Sequence, residues 1–109
     1  MPSQTVKLVV TVPLSHADIL RDAMGKAGAG VLGNYSFCSI SSVVTGRFKP
    51  EEGAVPHIGE IAQLETVVEE RIEVILPREI LKTVVEAIKA VHPYDEVSID
   101  VYSLEDVNL

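Results

Sequence analysis

His92-Pro93-Tyr94-Asp95-Glu96 places an imidazole, a phenol and two carboxylates within one short run. Such a set can ligate a metal or contact a cationic ligand. The same residues also read as a helix stop, because an imidazolium suits the negative end of a helix and proline cannot continue one. His57 stands between Pro56 and Gly59 in a Gly- and Pro-rich stretch and is the second ligand candidate. His57 and His92 are the residues offered to a divalent metal. The third histidine, His16, falls in the first turn of an expected helix and reads as exposed. No H-x-x-x-H spacing or Cys/His cluster of the zinc type is present. Phe48 and Tyr94 can wall a ligand, with His57, Glu70, His92 and Glu96 as its polar contacts.

Glu70 attracts attention because it falls in the apolar register of a strand, with Leu64, Thr66, Val68, Ile72, Val74 and Leu76. A buried lone carboxylate is costly, so a bulge must move it out or a partner must meet it. Glu65, Glu69 and Glu73 share the opposite face with Arg71 and read as solvated or as partners of another subunit. Glu69 and Glu70 cannot act together as acid and base, since neighbours on a strand point to opposite faces. Gly28-Ala29-Gly30-Val31-Leu32-Gly33 matches G-x-G-x-x-G letter for letter. A dinucleotide site needs a strand before that motif and a helix after it. Here a helix precedes and a strand follows, so the glycines read as a helix stop and turn. Cys38, the one cysteine, reads as a small buried strand residue. Asn34-Tyr35-Ser36 reads as a turn, its sequon without meaning in a chain lacking a signal peptide. No Ser-His-Asp set or phosphate loop is visible, so no catalytic residue is assigned and the chain is not read as an enzyme.

The elements that must position these groups follow from periodicity. Val6, Leu8, Val10 and Val12 alternate with Lys7, Val9 and Thr11, a strand stopped by Pro13. Ser15-His16-Ala17-Asp18 reads as a capping box. Leu20, Ala23, Met24 and Ala27 then form one helix face, ended by Gly28 and Gly30. Residues 35–44 predict a second strand and 61–76 a third. Residues 45–60 between them predict a loop of about 15 residues, a length usually tied to function. Pro77 opens a second helix with the stripe Ile80, Leu81, Val84, Val85, Ile88 and Val91. Val97, Ile99 and Val101 predict the last strand. The order β-α-β-β-α-β predicts an α+β, ferredoxin-like sandwich: an antiparallel sheet with two helices on one face. The other face carries Val9, Val67 and Ile75 among charges, which suggests oligomerisation.

The chain has 109 residues, 47% of them hydrophobic, enough for a single domain over 1–109 that folds without a disulfide or metal. Nine basic against sixteen acidic residues give a net charge of −7, which argues against nucleic acid as a partner. Residues 1–50 hold five basic and two acidic side chains; residues 51–109 hold four basic and fourteen acidic. No apolar run approaches the roughly 20 residues of a membrane helix. No signal peptide is visible and one cysteine suits a reducing compartment, so the expectation is a soluble, cytoplasmic domain.

Four motifs occur in one order: Gly28-Ala29-Gly30-x-x-Gly33-Asn34-Tyr35-x-x-Cys38-Ser39; Thr45-Gly46-x-Phe48-x-Pro50-x-x-Gly53-Ala54-x-Pro56-x-Ile58-Gly59; Glu70-Arg71-Ile72-Glu73; and His92-Pro93-Tyr94-Asp95-Glu96-Val97. Together they resemble the domain inserted within many bacterial Nif-three-like proteins, often called GTP cyclohydrolase I type 2. The resemblance covers roughly residues 5–104. Asp95 stands where that family more often has Glu, and Ile40 where an aromatic is common. The inserted domain is itself similar to the trimeric CutA and P-II proteins. The resemblance implies their fold and a cyclic trimer. It does not imply catalysis, because the metal-binding residues of Nif-three-like proteins lie in flanking domains and none is expected here. The P-II residues that bind ATP between subunits find no match. The implied role is a binding or assembly module, a homotrimer with a small-ligand site between subunits built from the 46–59 loop and residues 92–96. The alternative is a CutA-like protein that binds a divalent metal.

Overall fold

The computed structural model describes residues 4–107. Strands β1 (Thr5–Pro13), β2 (Ile40–Phe48), β3 (Glu65–Pro77) and β4 (Ile99–Ser103) and helices α1 (Ala17–Lys26) and α2 (Leu81–Val91) follow in the order β1-α1-β2-β3-α2-β4. The four strands form one antiparallel sheet in the order β2-β3-β1-β4. This is the expected ferredoxin-like arrangement.

Register follows from the alternation. Leu8 pairs with Val74 and Val10 with Ile72, which puts their side chains on the helix-covered face. There they meet Leu20 and Met24 of α1 and Val84 and Ile88 of α2. Leu8, Leu20, Ile72 and Ile88 are fully buried, each contributing roughly 1.5–3 kcal/mol of transfer free energy. Val9, Val44, Val67 and Ile75 take the open face, with Lys7, Arg71 and Glu73 between them. Val9 is nonetheless buried, flanked by Glu73 on one side and Asp100 on the other.

Three local expectations change. The capping box is not formed. α1 starts through a 3-10 turn, Leu14–His16, without a side-chain cap. Ser15 Oγ lies 2.8 Å from His16 Nδ1 instead, and Asp18 pairs with Arg21 one turn on. The second strand begins at Ile40 rather than at 35, because Leu32 and Tyr35 exchange backbone hydrogen bonds of 2.9 Å in a tight turn. It then runs on through Gly46 to Phe48, so its end carries residues assigned to the loop. The third strand begins at Glu65, because the Ala62 amide donates to the Pro50 carbonyl at 2.6 Å and ties the loop base together. The irregular loop is therefore 49–64.

Candidate functional site

The site lies where β1 ends. α2 stops at Val91, and the chain must cross the end of the sheet before β4 pairs with β1. Pro93 keeps this crossing extended. His92 fixes its height. Its Nε2 donates to the Thr11 carbonyl at 2.8 Å, and its Nδ1 accepts from the Tyr94 amide at 3.2 Å. Both contacts suit the neutral Nε2–H tautomer. Burial is the main cause holding the imidazole below its ordinary pKa; the hydrogen bond to Thr11 and the charge of Glu69 oppose that shift. Both ring nitrogens are thereby occupied.

With His92 anchored, Tyr94 extends over the end of β1 to β3. Its hydroxyl donates to Glu69 Oε2 at 3.0 Å. Burial, then this bond and the carboxylate charge, push the phenol well above its ordinary range, so it stays a donor. Glu69 is only 6% exposed. It can lie flat on the sheet because β2 has a glycine beside it: a Cβ on Gly46 would come 2.0 Å from Glu69 Oε1. A strand glycine of this kind marks a close approach, here of a side chain.

The 49–64 loop closes the site from above. The Val55 amide donates to Asp95 Oδ2 at 2.9 Å, joining the loop to the crossing segment. Between them is a cavity of about 450 Å³. Phe48, Pro56, Ile58 and Tyr94 give it apolar walls, and Thr11, Gly46 and Glu69 its floor. Arg47, Lys49, Glu51, Asp95 and Glu96 also line it. Lys49 lies 3.5 Å from Glu51. The Phe48 and Tyr94 rings are 6.4 Å apart and tilted by 52°.

Of the residues singled out in the sequence, Phe48, His57, Tyr94 and Glu96 line this one cavity. His92 stands behind it, its ring 4.9 Å from that of Tyr94. Glu70 is not brought there. It points to the helix-covered face, where the Arg21 guanidinium pairs with it, and no bulge displaces it. His57 lies 6.3 Å from Tyr94 and 5.7 Å edge-on from His16, centroid to centroid, so His16 stands beside His57 but outside the cavity lining. Among the described residues no group of three or more His, Cys, Asp or Glu side chains converges on a metal position. Both nitrogens of His92 are engaged, by the Thr11 carbonyl and the Tyr94 amide.

Glu69 was legible only as one of several charges on an outward strand face. The glycine at 46 was the one signal that something approaches β2 closely. The G-x-G-x-x-G run does form a turn: the Gly30 amide donates to the Ile75 carbonyl at 2.7 Å, and the Cys38 amide to the Gly30 carbonyl at 2.8 Å. Cys38 is half-buried rather than a core residue.

No family model matches the chain. It is 50% identical over 98 residues to the GTP cyclohydrolase 1 type 2 homolog of Halalkalibacterium halodurans, covering 90% of this chain and 26% of that protein. A Bacillus cereus protein related to NIF3 superposes with a TM-score of 0.83 at 45% identity, over 97% of this chain and 27% of that one. The chain thus spans about a quarter of the length of these relatives and is homologous to one domain of theirs. The periplasmic divalent cation tolerance protein CutA of Archaeoglobus fulgidus shares the fold, with a TM-score of 0.69 at 19% identity over 94% of this chain and 85% of that one.

Proposed function

We propose that this domain, a CutA-like fold homologous to a segment of NIF3-related proteins, is a non-catalytic binding module. It assembles as a homotrimer and holds a small organic ligand under the 49–64 loop. One observation carries the reading: two segments far apart in sequence, 46–58 and 94–98, converge on a single apolar-walled cavity of ligand size. The functional groups present are aromatic walls, a floor carboxylate and a mouth of mixed charge, which suit recognition rather than bond cleavage.

The open sheet face supports assembly. It presents Ile40 and Tyr102 to solvent and leaves Val44 and Val67 half-exposed, and two adjacent basic groups, Lys7 and Arg71, flank Glu73. A face of this character on so small a domain calls for a partner surface. In a trimer packed through it, the mouth of the cavity would sit at the rim beside a neighbouring subunit.

Native mass spectrometry of gently purified protein tests both parts. The expected result is a trimer carrying one added organic mass per subunit, with Phe48→Ala still trimeric but stripped of that mass. A monomer would overturn the assembly. Added mass that Phe48→Ala keeps would overturn the placing of the ligand, and a stoichiometric metal in its stead would favour the divalent-cation alternative.

A further inference from the structure

Three glutamates close together on β3 have different surroundings. Glu70 is met by the Arg21 guanidinium. Glu73 has Arg71 at 2.9 Å and Lys7 at 3.9 Å. Glu69, the most buried of the three, has no Lys, Arg or His within ion-pair distance among the described residues. Its one hydrogen bond is from a neutral donor, the Tyr94 hydroxyl, and reaches Oε2 alone. Oε1 has no partner. No enclosed side-chain oxygen or nitrogen among the described residues lacks a hydrogen bond, so Oε1 is not sealed off, and Glu69 is among the residues that line the cavity. A buried carboxylate without a counter-charge is a standing cost. The fold keeps it there by leaving residue 46 without a side chain.

We propose that the cavity takes an organic cation bearing N–H groups, its charged end on Glu69 Oε1 and its flat or apolar body against Phe48 and Tyr94. This deepens the binding-module reading and rests on it. An ammonium, guanidinium or amidinium supplies two things that Glu69 lacks: a donor to Oε1 and a positive charge at ion-pair distance. The tilted aromatic pair offers ring faces to the same cation. The mouth favours that sign of charge: Glu51, Asp95 and Glu96 line it, and Lys49 is drawn to Glu51. Arg47 is the opposing charge, placed at the rim on an exposed position rather than at the floor. An anionic ligand would have to bring its charge towards Glu69.

Three isosteric probes decide the matter without knowledge of the natural ligand: benzamidine (cation), benzamide (neutral) and benzoate (anion). Each is titrated into the full chain while the amide resonances of Gly46, Glu69 and Tyr94 are followed by NMR. Benzamidine is expected to shift them saturably and to bind about tenfold or more tightly than benzamide, the value of one charge-assisted hydrogen bond. Benzoate should leave them unmoved. Glu69→Gln should bring benzamidine down to the level of benzamide. Equal binding of benzamidine and benzamide at these resonances would overturn the cation and leave the cavity reading standing. Silence from all three probes would overturn both. Should Glu69→Gln lose its dispersed spectrum, the comparison of probes on the unaltered protein decides alone.

Discussion

The Tyr94 hydroxyl and the Glu69 carboxylate, from the crossing segment and the third strand, meet at 3.0 Å over the end of β1. This bond joins the two sides of the cavity and, among the described residues, brings the buried carboxylate its one donor. Tyr94→Phe should therefore cost about 1–2 kcal/mol of stability, the penalty for leaving a buried acceptor without its partner. Urea unfolding at neutral pH checks this; a change within error would mean that water replaces the hydroxyl freely. Burial of the phenol, and this bond after it, have a signature in alkali. The phenol's pKa is raised from 10.0 in the folded protein. The folded state therefore holds its proton longer than the unfolded chain does. That contribution is fully present below pH 10 and is lost as pH rises through the folded value. Stability should fall more steeply above pH 10 in the parent than in Tyr94→Phe.

His92 predicts the opposite slope on the acid side. Its pKa is lowered from 6.5, chiefly by burial, so the unfolded chain binds the proton more readily. The contribution is complete above 6.5 and declines as pH falls below it. Glu69 works against the shift, while His16 and His57 add to it. Urea midpoints at pH 7.5 and 5.0 should show the loss. His92→Ala should flatten it at a cost of about 2 kcal/mol, because the Thr11 carbonyl and Tyr94 amide lose their partner. An unchanged pH slope in that variant would mean that another group carries it.

The fold was legible because both halves of the chain repeat one pattern, alternation into proline into a helical stripe. Leu8, Val10, Ile72 and Val74 needed only their spacing to be placed in the core. The cavity was half legible. Phe48, His57, Tyr94 and Glu96 stand out as unusual residue types in a long loop and a dense motif. Glu69 and Glu70 could not be ranked, because alternation says which face a residue takes and not what stands on that face. Arg21, 49 residues away, decided Glu70. Gly46 and Tyr94 decided Glu69. Such pairings are tertiary and leave no local periodicity.

The Glu70–Arg21 pair can be weighed directly. Both side chains are partly exposed, at 18% and 31%, so screening discounts their attraction. A double-mutant cycle with Glu70→Gln and Arg21→Gln should give a coupling of about 1 kcal/mol. No coupling would mean that the guanidinium is held as well by Asp18 and Ser41, its other partners. In either case the probe affinities of the cavity should be unchanged, since the pair lies on the opposite face of the sheet.

Gly30 supplies the sharpest stability test. Its φ is +83°, a backbone region that costs other residues about 1–2 kcal/mol. A Cβ there would also come 2.3 Å from the Cys38 carbonyl oxygen and 2.8 Å from its nitrogen, both backbone atoms that cannot rotate away. The two hydrogen bonds that fix the turn, Gly30 to Ile75 and Cys38 to Gly30, must then stretch together. Gly30→Ala should destabilise by about 3 kcal/mol or more, well above the usual surface substitution. Gly33→Ala is the control. Its φ is also positive, at +56°, but no atom lies within 4 Å of the added carbon, so only the conformational cost of about 1 kcal/mol remains. Equal losses at the two positions would mean that backbone conformation alone, and not the close approach of Cys38, makes glycine necessary in this turn.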